Sequence, residues 1–249
     1  MTEKFPRFSD ADRVLKELEG TPVATTVKKA LRKAMTSQSC LADLGQAALL
    51  RDALRDLLNN STPTVSDANS SIEMALLMQA ILLYSRATAT IGQYGERGAV
   101  KITDHLSSEE LEDHNALIEI RNKALAHVYH NEPVSNEVWH SGKLFFVEIK
   151  KGGWLPAGYN SSINFHPQTF ARLSRMLPVA REILMTNFHQ HTTKLTDALN
   201  KEPLTQAIFE RCTFDPISLF GSDEAVTRAL NGIPEKTAFG YRATQPKID

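Results

Sequence analysis

The stretch Arg121-Asn-Lys-Ala-Leu-Ala-His127 sets an arginine and a histidine six positions apart, with Asn122 and Lys123 directly after the arginine. Arginine keeps its charge at any physiological pH and offers a planar fork of N–H donors that matches phosphate oxygens. Histidine titrates near neutrality, so His127 can give or take a proton during a reaction. The pair suits acid–base chemistry on an anionic group, with Arg121 stabilising the charge that develops.

These residues need a helix to hold them. Ser107 and Glu110 stand as a capping box, and the spacing predicts a helix from about Ser108 to Tyr129, with Pro133 marking its end. At about 100° per residue, Leu111, Leu117, Ile118, Ile120, Ala124, Leu125 and Val128 share one arc. Glu112, Asn115, Glu119, Asn122 and Lys123 lie opposite. Arg121 falls near the middle of the apolar arc, His114 lies on the same line, and His127 sits at the edge. A buried arginine is costly unless it is paired or its face opens. Two readings are open: a salt bridge to a neighbouring helix, or a groove or dimer seam where guanidinium meets phosphate. On a straight helix, Arg121 and His127 are about 9 Å apart in rise and roughly 120° apart in direction. One helix does not easily aim both at the same phosphate, whereas two copies about a twofold axis can.

Composition narrows the class. Lys and Arg total 28 against 29 for Asp and Glu, so net charge advertises no polyanionic partner and RNA contact needs a local basic groove. Cys40 and Cys212 cannot build a disulfide framework or a cysteine-rich metal site. The N-terminus MTEKFPRFSD has no apolar core for a signal peptide, and Met74–Tyr84 is too short for a bilayer, so a cytosolic protein without membrane association is expected.

Helical patterns dominate the rest. Ser9 opens a short helix, and a longer pattern runs from Pro22 to about Asn59, with Ser37-Gln-Ser39 as a break within it. Asn59–Asn69 reads as a loop, and Ser70 with Glu73 as a capping box for a largely apolar helix over Ile72–Ile91. Gly92–Asp104 reads as a connection. Lys143–Lys150 is strand-like, paired with Ser162–Phe165 across a loop holding Gly152, Gly153, Pro156 and Gly158. A long helix over Gln168–Leu199, bent at Pro178, comes next, then short helices at Thr205–Arg211 and Asp223–Leu230. Gly232–Asp249 reads as a tail. His189-Gln-His191 splays on a helix and reads as surface. Lys28-Lys29 with Arg32-Lys33 reads as a solvated face, or as a patch for RNA backbone.

The motif, its helix and the apolar helix before it with Leu83-Tyr-Ser-Arg86 resemble the HEPN superfamily, over residues 70 to 131. The likeness is to the abortive-infection type, whose Arg-Asn-Lys core ends in Ala-His. The resemblance implies a mainly α fold, a HEPN-like helical bundle over residues 1–200. It does not explain the small β-hairpin insert at about 138–166 or the C-terminal helical and irregular arm over 201–249, which are read from the residues themselves. It implies a homodimeric, metal-independent endoribonuclease with no cofactor, acting as a toxin or phage-defence effector. Catalysis would fall to Arg121, His127 and Asn122, with His114 and Lys123 as accessories. Tyr129 stands two residues after His127, as does the modification target in HEPN toxins paired with a nucleotidyltransferase antitoxin. Their usual spacer is four residues and this one is five, which favours reading Tyr129 as an ordinary helix-end aromatic. A non-catalytic HEPN scaffold for dimerisation or ligand binding is the alternative.

Overall fold

The computed structural model describes residues 6–19, 25–60, 67–90, 92, 97–126, 131–149, 152–162, 165–201 and 203–231. In chain order its elements are β1 (Phe8–Ser9), α1 (Ala11–Glu19), α2 (Thr25–Asn60), α3 (Asp67–Thr88), a 3₁₀ turn (Thr103–His105) and α4 (Ser108–Ile120). Next are a π-helical turn (Arg121–Leu125), β2 (Pro133–Val134), β3 (Glu137–Val138), β4 (His140–Ile149) and β5 (Gly153–Ser162). The last elements are α5 (Pro167–Lys201), α6 (Pro203–Arg211), β6 (Thr213–Phe214), α7 (Pro216–Phe220) and α8 (Asp223–Asn231). The protein is mainly helical, and among the described residues three small antiparallel sheets pair β1 with β6, β2 with β3 and β4 with β5.

The chain forms two compact units, residues 1–42 with 184–249, and residues 43–183. In the first, Val14, Leu18, Val27, Leu31, Ile208 and Cys212 make the core. Each large apolar side chain removed from water there contributes about 1.5–3 kcal/mol. The Asp10 carboxylate caps α1 by accepting from the Asp12 and Arg13 amides. Ser9, expected to open that helix, instead lies in β1 opposite Thr213, because the carboxylate one residue on reaches the orphan amides. α7, which sequence patterning missed, is capped by Asp215 and closed by Gly221 at φ 85°.

The second unit holds Leu44, Leu54, Leu77, Ile81, Tyr84, Leu117, Ile120, Leu173 and Met176 in its buried interior. α3 begins at Asp67, so Ser70 lies inside the helix and does not cap it. α2 runs unbroken through Ser37-Gln-Ser39, with Ser37 buried; three polar residues cost little propensity beside the packing of the turns around them. α5 continues through Pro178.

The hairpin also departs from the expected pairing. β4 pairs with Gly153–Ser162 from His140↔Ser162 to Ile149↔Gly153, so the expected partner Ser162–Phe165 contributes Ser162 alone to the pairing, and residues 163–164 lie outside the described residues. Gly153, Pro156 and Gly158, expected in a loop, lie within β5. A two-stranded ribbon makes both strands edges, where proline and glycine are tolerated. Gly152 turns the chain at φ 75°.

Among the described residues, no helix is long and apolar enough to cross a membrane. The expected Pro22 helix start, most of the 59–69 loop and the 232–249 tail lie outside the described residues.

Candidate functional site

The helix that carries the motif starts as its sequence predicts. The Glu110 amide donates to Ser107 Oγ at 3.3 Å, and the Ser107 amide donates to Glu110 Oε2 at 2.8 Å. That backbone bond holds the Glu110 carboxyl below the usual range. α4 then buries Asp113, His114, Leu117 and Ile120.

At Arg121 the helix changes character. The expectation of one α-helix to Tyr129 fails here, because Arg121–Leu125 form a π-turn that leads into Ala126. A π-turn widens the ring from four residues to five and shifts the phase of the residues after it; such turns occur frequently at functional sites. Arg121 is half-buried, not sealed in an apolar face, while Asn122 and Lys123 are exposed and Ala124 is buried.

Arg121 Nη1 donates to Asn122 Oδ1 at 2.8 Å. Among the described residues no carboxylate pairs with Arg121. Lys123 Nζ lies 2.8 Å from Glu119 Oε1, and Ser135 Oγ donates to Glu119 Oε2 at 2.7 Å. The Lys123 hydrogen bond keeps the Glu119 carboxyl below its ordinary range.

His114 lies elsewhere. It is buried, its Nδ1 sits 2.8 Å from the Tyr84 hydroxyl, and the rings meet edge-on with centroids 5.8 Å apart. Burial lowers the imidazole's affinity for a proton. Burial also pushes the Tyr84 hydroxyl well above its ordinary value. His127 and Tyr129 lie outside the described residues. The structure thus brings Arg121 and Asn122 together, links Lys123 to Glu119, and puts His114 in the core against Tyr84.

Sequence reasoning missed a groove of about 780 Å³ along the polar face of α4, lined by Ser108, Glu112, Asn115, Glu119, Asn136 and Arg172 among others. Its far wall is the β2–β3 hairpin, where Ser135 and Asn136 both adopt positive φ, 51° and 70°. A two-residue hairpin needs that conformation. Ser135 is held in it by its hydroxyl bond to Glu119 and by Arg172 Nη1, which donates to its carbonyl at 3.0 Å. Beneath, Arg175 grips the buried Asp113 carboxylate with Nε at 2.8 Å and Nη2 at 3.0 Å, and Arg172 Nε stands 3.5 Å away. The available signal was a carboxylate amid buried positions of α4, which demands cations, and the i,i+3 pair Arg172 and Arg175.

A second cluster was equally silent in sequence. Trp139 stacks on His166 at 3.8 Å, and Glu137 accepts from Thr169 and faces His166. Burial works to raise the Glu137 carboxyl, but the bonds from His166 and Thr169 outweigh it and hold the group low. Among the described residues, no group of three or more His, Cys, Asp or Glu side chains is arranged to hold a metal ion. No known family model, curated protein or solved structure matches the chain.

Proposed function

We propose that this chain is a metal-independent endoribonuclease of HEPN type, a toxin or phage-defence effector acting as a homodimer with a composite Arg/His site. The state of Arg121 carries the reading. Its guanidinium is half-exposed on a π-turn, oriented by Asn122, and joined to no carboxylate among the described residues. A purely structural arginine would be expected to close on an acid, as Arg172 and Arg175 do on Asp113.

In this role the substrate 2′-hydroxyl attacks the adjacent phosphorus and the 5′-oxygen leaves, giving a 2′,3′-cyclic phosphate and a 5′-hydroxyl. Arg121 donates to the non-bridging oxygens as charge builds on them. His127 takes the proton of the attacking hydroxyl or supplies one to the leaving oxygen, and the motif of a second copy completes the pair. Asn122 fixes the guanidinium, and Lys123 adds positive charge next to it. His114, sealed from water, acts at most through the packing of α4 and α3. Tyr129 would be the modification site if a nucleotidyltransferase antitoxin restrains the protein.

A non-catalytic HEPN scaffold is the second reading. The groove beside α4 favours it, since Glu112 and Glu119 in its lining repel a phosphate backbone.

Cleavage of mixed RNAs by the purified chain in excess EDTA, beside Arg121→Ala and His127→Ala, separates the two. Cyclic ends from the wild type and loss in both variants support the ribonuclease. Silence from a folded dimer, free of bound inhibitor and of Tyr129 modification, supports the scaffold.

A further inference from the structure

The β4–β5 ribbon exposes apolar side chains on both faces. Residues directly opposite in an antiparallel pair share a face, so the register assigns them. Leu144, Phe146 and Trp154 stand on one face, and Phe145, Val147, Ile149, Leu155 and Tyr159 on the other. All eight are between 40% and 70% exposed. Every position from Lys143 to Ile149 is exposed.

We propose that this ribbon is a dimerisation arm, covered in solution by a second copy of the chain. The area argues for it. A buried aromatic side chain covers roughly 150–250 Å², and with the aliphatics the ribbon leaves roughly 700 Å² of apolar surface open. Each face alone lies within the roughly 300–600 Å² of the largest patch on an ordinary monomer, but the two faces together approach the roughly 800 Å² that each partner in a standard interface contributes. A two-stranded hairpin is also marginal by itself in water, so a ribbon of ten-residue strands needs a cover to persist.

The edges point the same way. β5 carries Pro156, Gly153 and Gly158, which spoil a strand for pairing, but β4 from Lys143 to Ile149 contains neither proline nor glycine. Two β4 edges can meet antiparallel about a twofold axis, which makes the contact self-complementary. Lipid is a poor occupant. It would leave the outer backbone groups of both strands without partners, and Glu148 lies opposite Trp154 on one of the apolar faces. The inference does not rest on the ribonuclease reading, although it would supply the second copy which that reading requires.

The test is the solution mass of the full chain by light scattering over a dilution series into the tens of micromolar. Phe146→Glu and Val147→Glu, one on each face, run beside it, with circular dichroism to verify folding. A dimer whose dissociation constant rises by about a hundredfold in a folded variant supports the arm, and RNA cleavage is not read. A single cysteine at Phe145 or Phe146 that oxidises to a covalent dimer supports β4 as the meeting edge. A monomer at the highest concentration overturns the proposal. So does a dimer unmoved by both charges, or a monomer that floats with phosphatidylcholine vesicles through the ribbon.

Discussion

The Tyr84 hydroxyl and His114 Nδ1 share a hydrogen bond of 2.8 Å where both residues are buried. Each is the other's polar partner, and that joins α3 to α4. Burial lowers the His114 pKa below its ordinary 6.5, so the folded ring resists the proton that the unfolded ring accepts. Above 6.5 both states are neutral and the group adds no pH dependence. As pH falls below 6.5 the unfolded chain gains the proton first, and stability declines until the lowered folded value is reached. Urea denaturation should therefore show wild type weaker at about pH 5.5 than at about pH 7.5, and His114→Phe should flatten that slope. His191, also lowered by burial and by Lys33 and Lys194, contributes in the same direction in both proteins, so the difference isolates His114. An identical slope in the variant would refute the assignment.

The same bond makes a second prediction about pairing. Removing one partner strands a buried polar group at a cost of about 1–3 kcal/mol, whereas removing both can be nearly neutral. Tyr84→Phe and His114→Phe should each destabilise, and the double variant should lose less than their sum. Strict additivity in the double-mutant cycle would show that the two groups do not interact.

Asp113 is one of the buried charges in the unit of residues 43–183. It is buried and answers both Arg172 and Arg175. Arg175 is more than half exposed and can turn to water, but Arg172 cannot do so as readily. Asp113→Ala should cost about 3–5 kcal/mol, the range for a broken buried pair, and Arg175→Ala markedly less. Equal losses on chemical denaturation would mean that the network is solvated.

How much of this was legible depends on which forces decide each feature. The Ser107–Glu110 cap was readable because its donors and acceptors lie within one turn of chain. α3, α4 and the ends of α6 and α8 came from periodicity. Ser70 misled because its own helix starts earlier, at Asp67, and a capping signature can occur inside a helix. The helical wheel put Arg121 amid an apolar arc and the structure leaves it half-buried; a wheel also assumes a constant turn, which the chain abandons over Arg121–Leu125. The groove wall at Ser135 and Asn136, the Asp113 cluster and the Trp139–His166 stack depend on residues far apart in sequence. No local pattern encodes them. The strand register was half readable: β4 by its alternating bulk, its partner not, since glycine and proline in β5 imitate a loop.

The Ser107 cap gives a prediction confined to one end of the motif helix. Ser107→Ala removes the acceptor for the Glu110 amide and should destabilise by about 1 kcal/mol, with hydrogen exchange rising first in Ser108–Leu111. Ser107→Asp should retain most of the stability, because the carboxylate accepts the same bond and suits a helix N-terminus. If alanine and aspartate prove equal, the box contributes nothing measurable.

The sharpest prediction concerns Arg121 and Asn122, whose 2.8 Å bond orients the guanidinium at the π-turn. If Arg121 stabilises a phosphorane, lysine cannot replace it, since one ammonium does not reproduce a planar fork. Arg121→Lys should then lower kcat for RNA cleavage nearly as far as Arg121→Ala, by about 10²–10³-fold, while leaving the melting temperature unchanged. Asn122→Ala, which only frees the guanidinium to wander, should lose about tenfold in kcat. A structural arginine behaves in the opposite way: alanine would lower stability, lysine would restore it, and cleavage would follow the folded fraction. Measuring kcat and the unfolding midpoint on the same preparations separates the two cases. Activity that falls with lysine at constant stability assigns Arg121 to the chemistry, and activity that tracks stability assigns it to the fold.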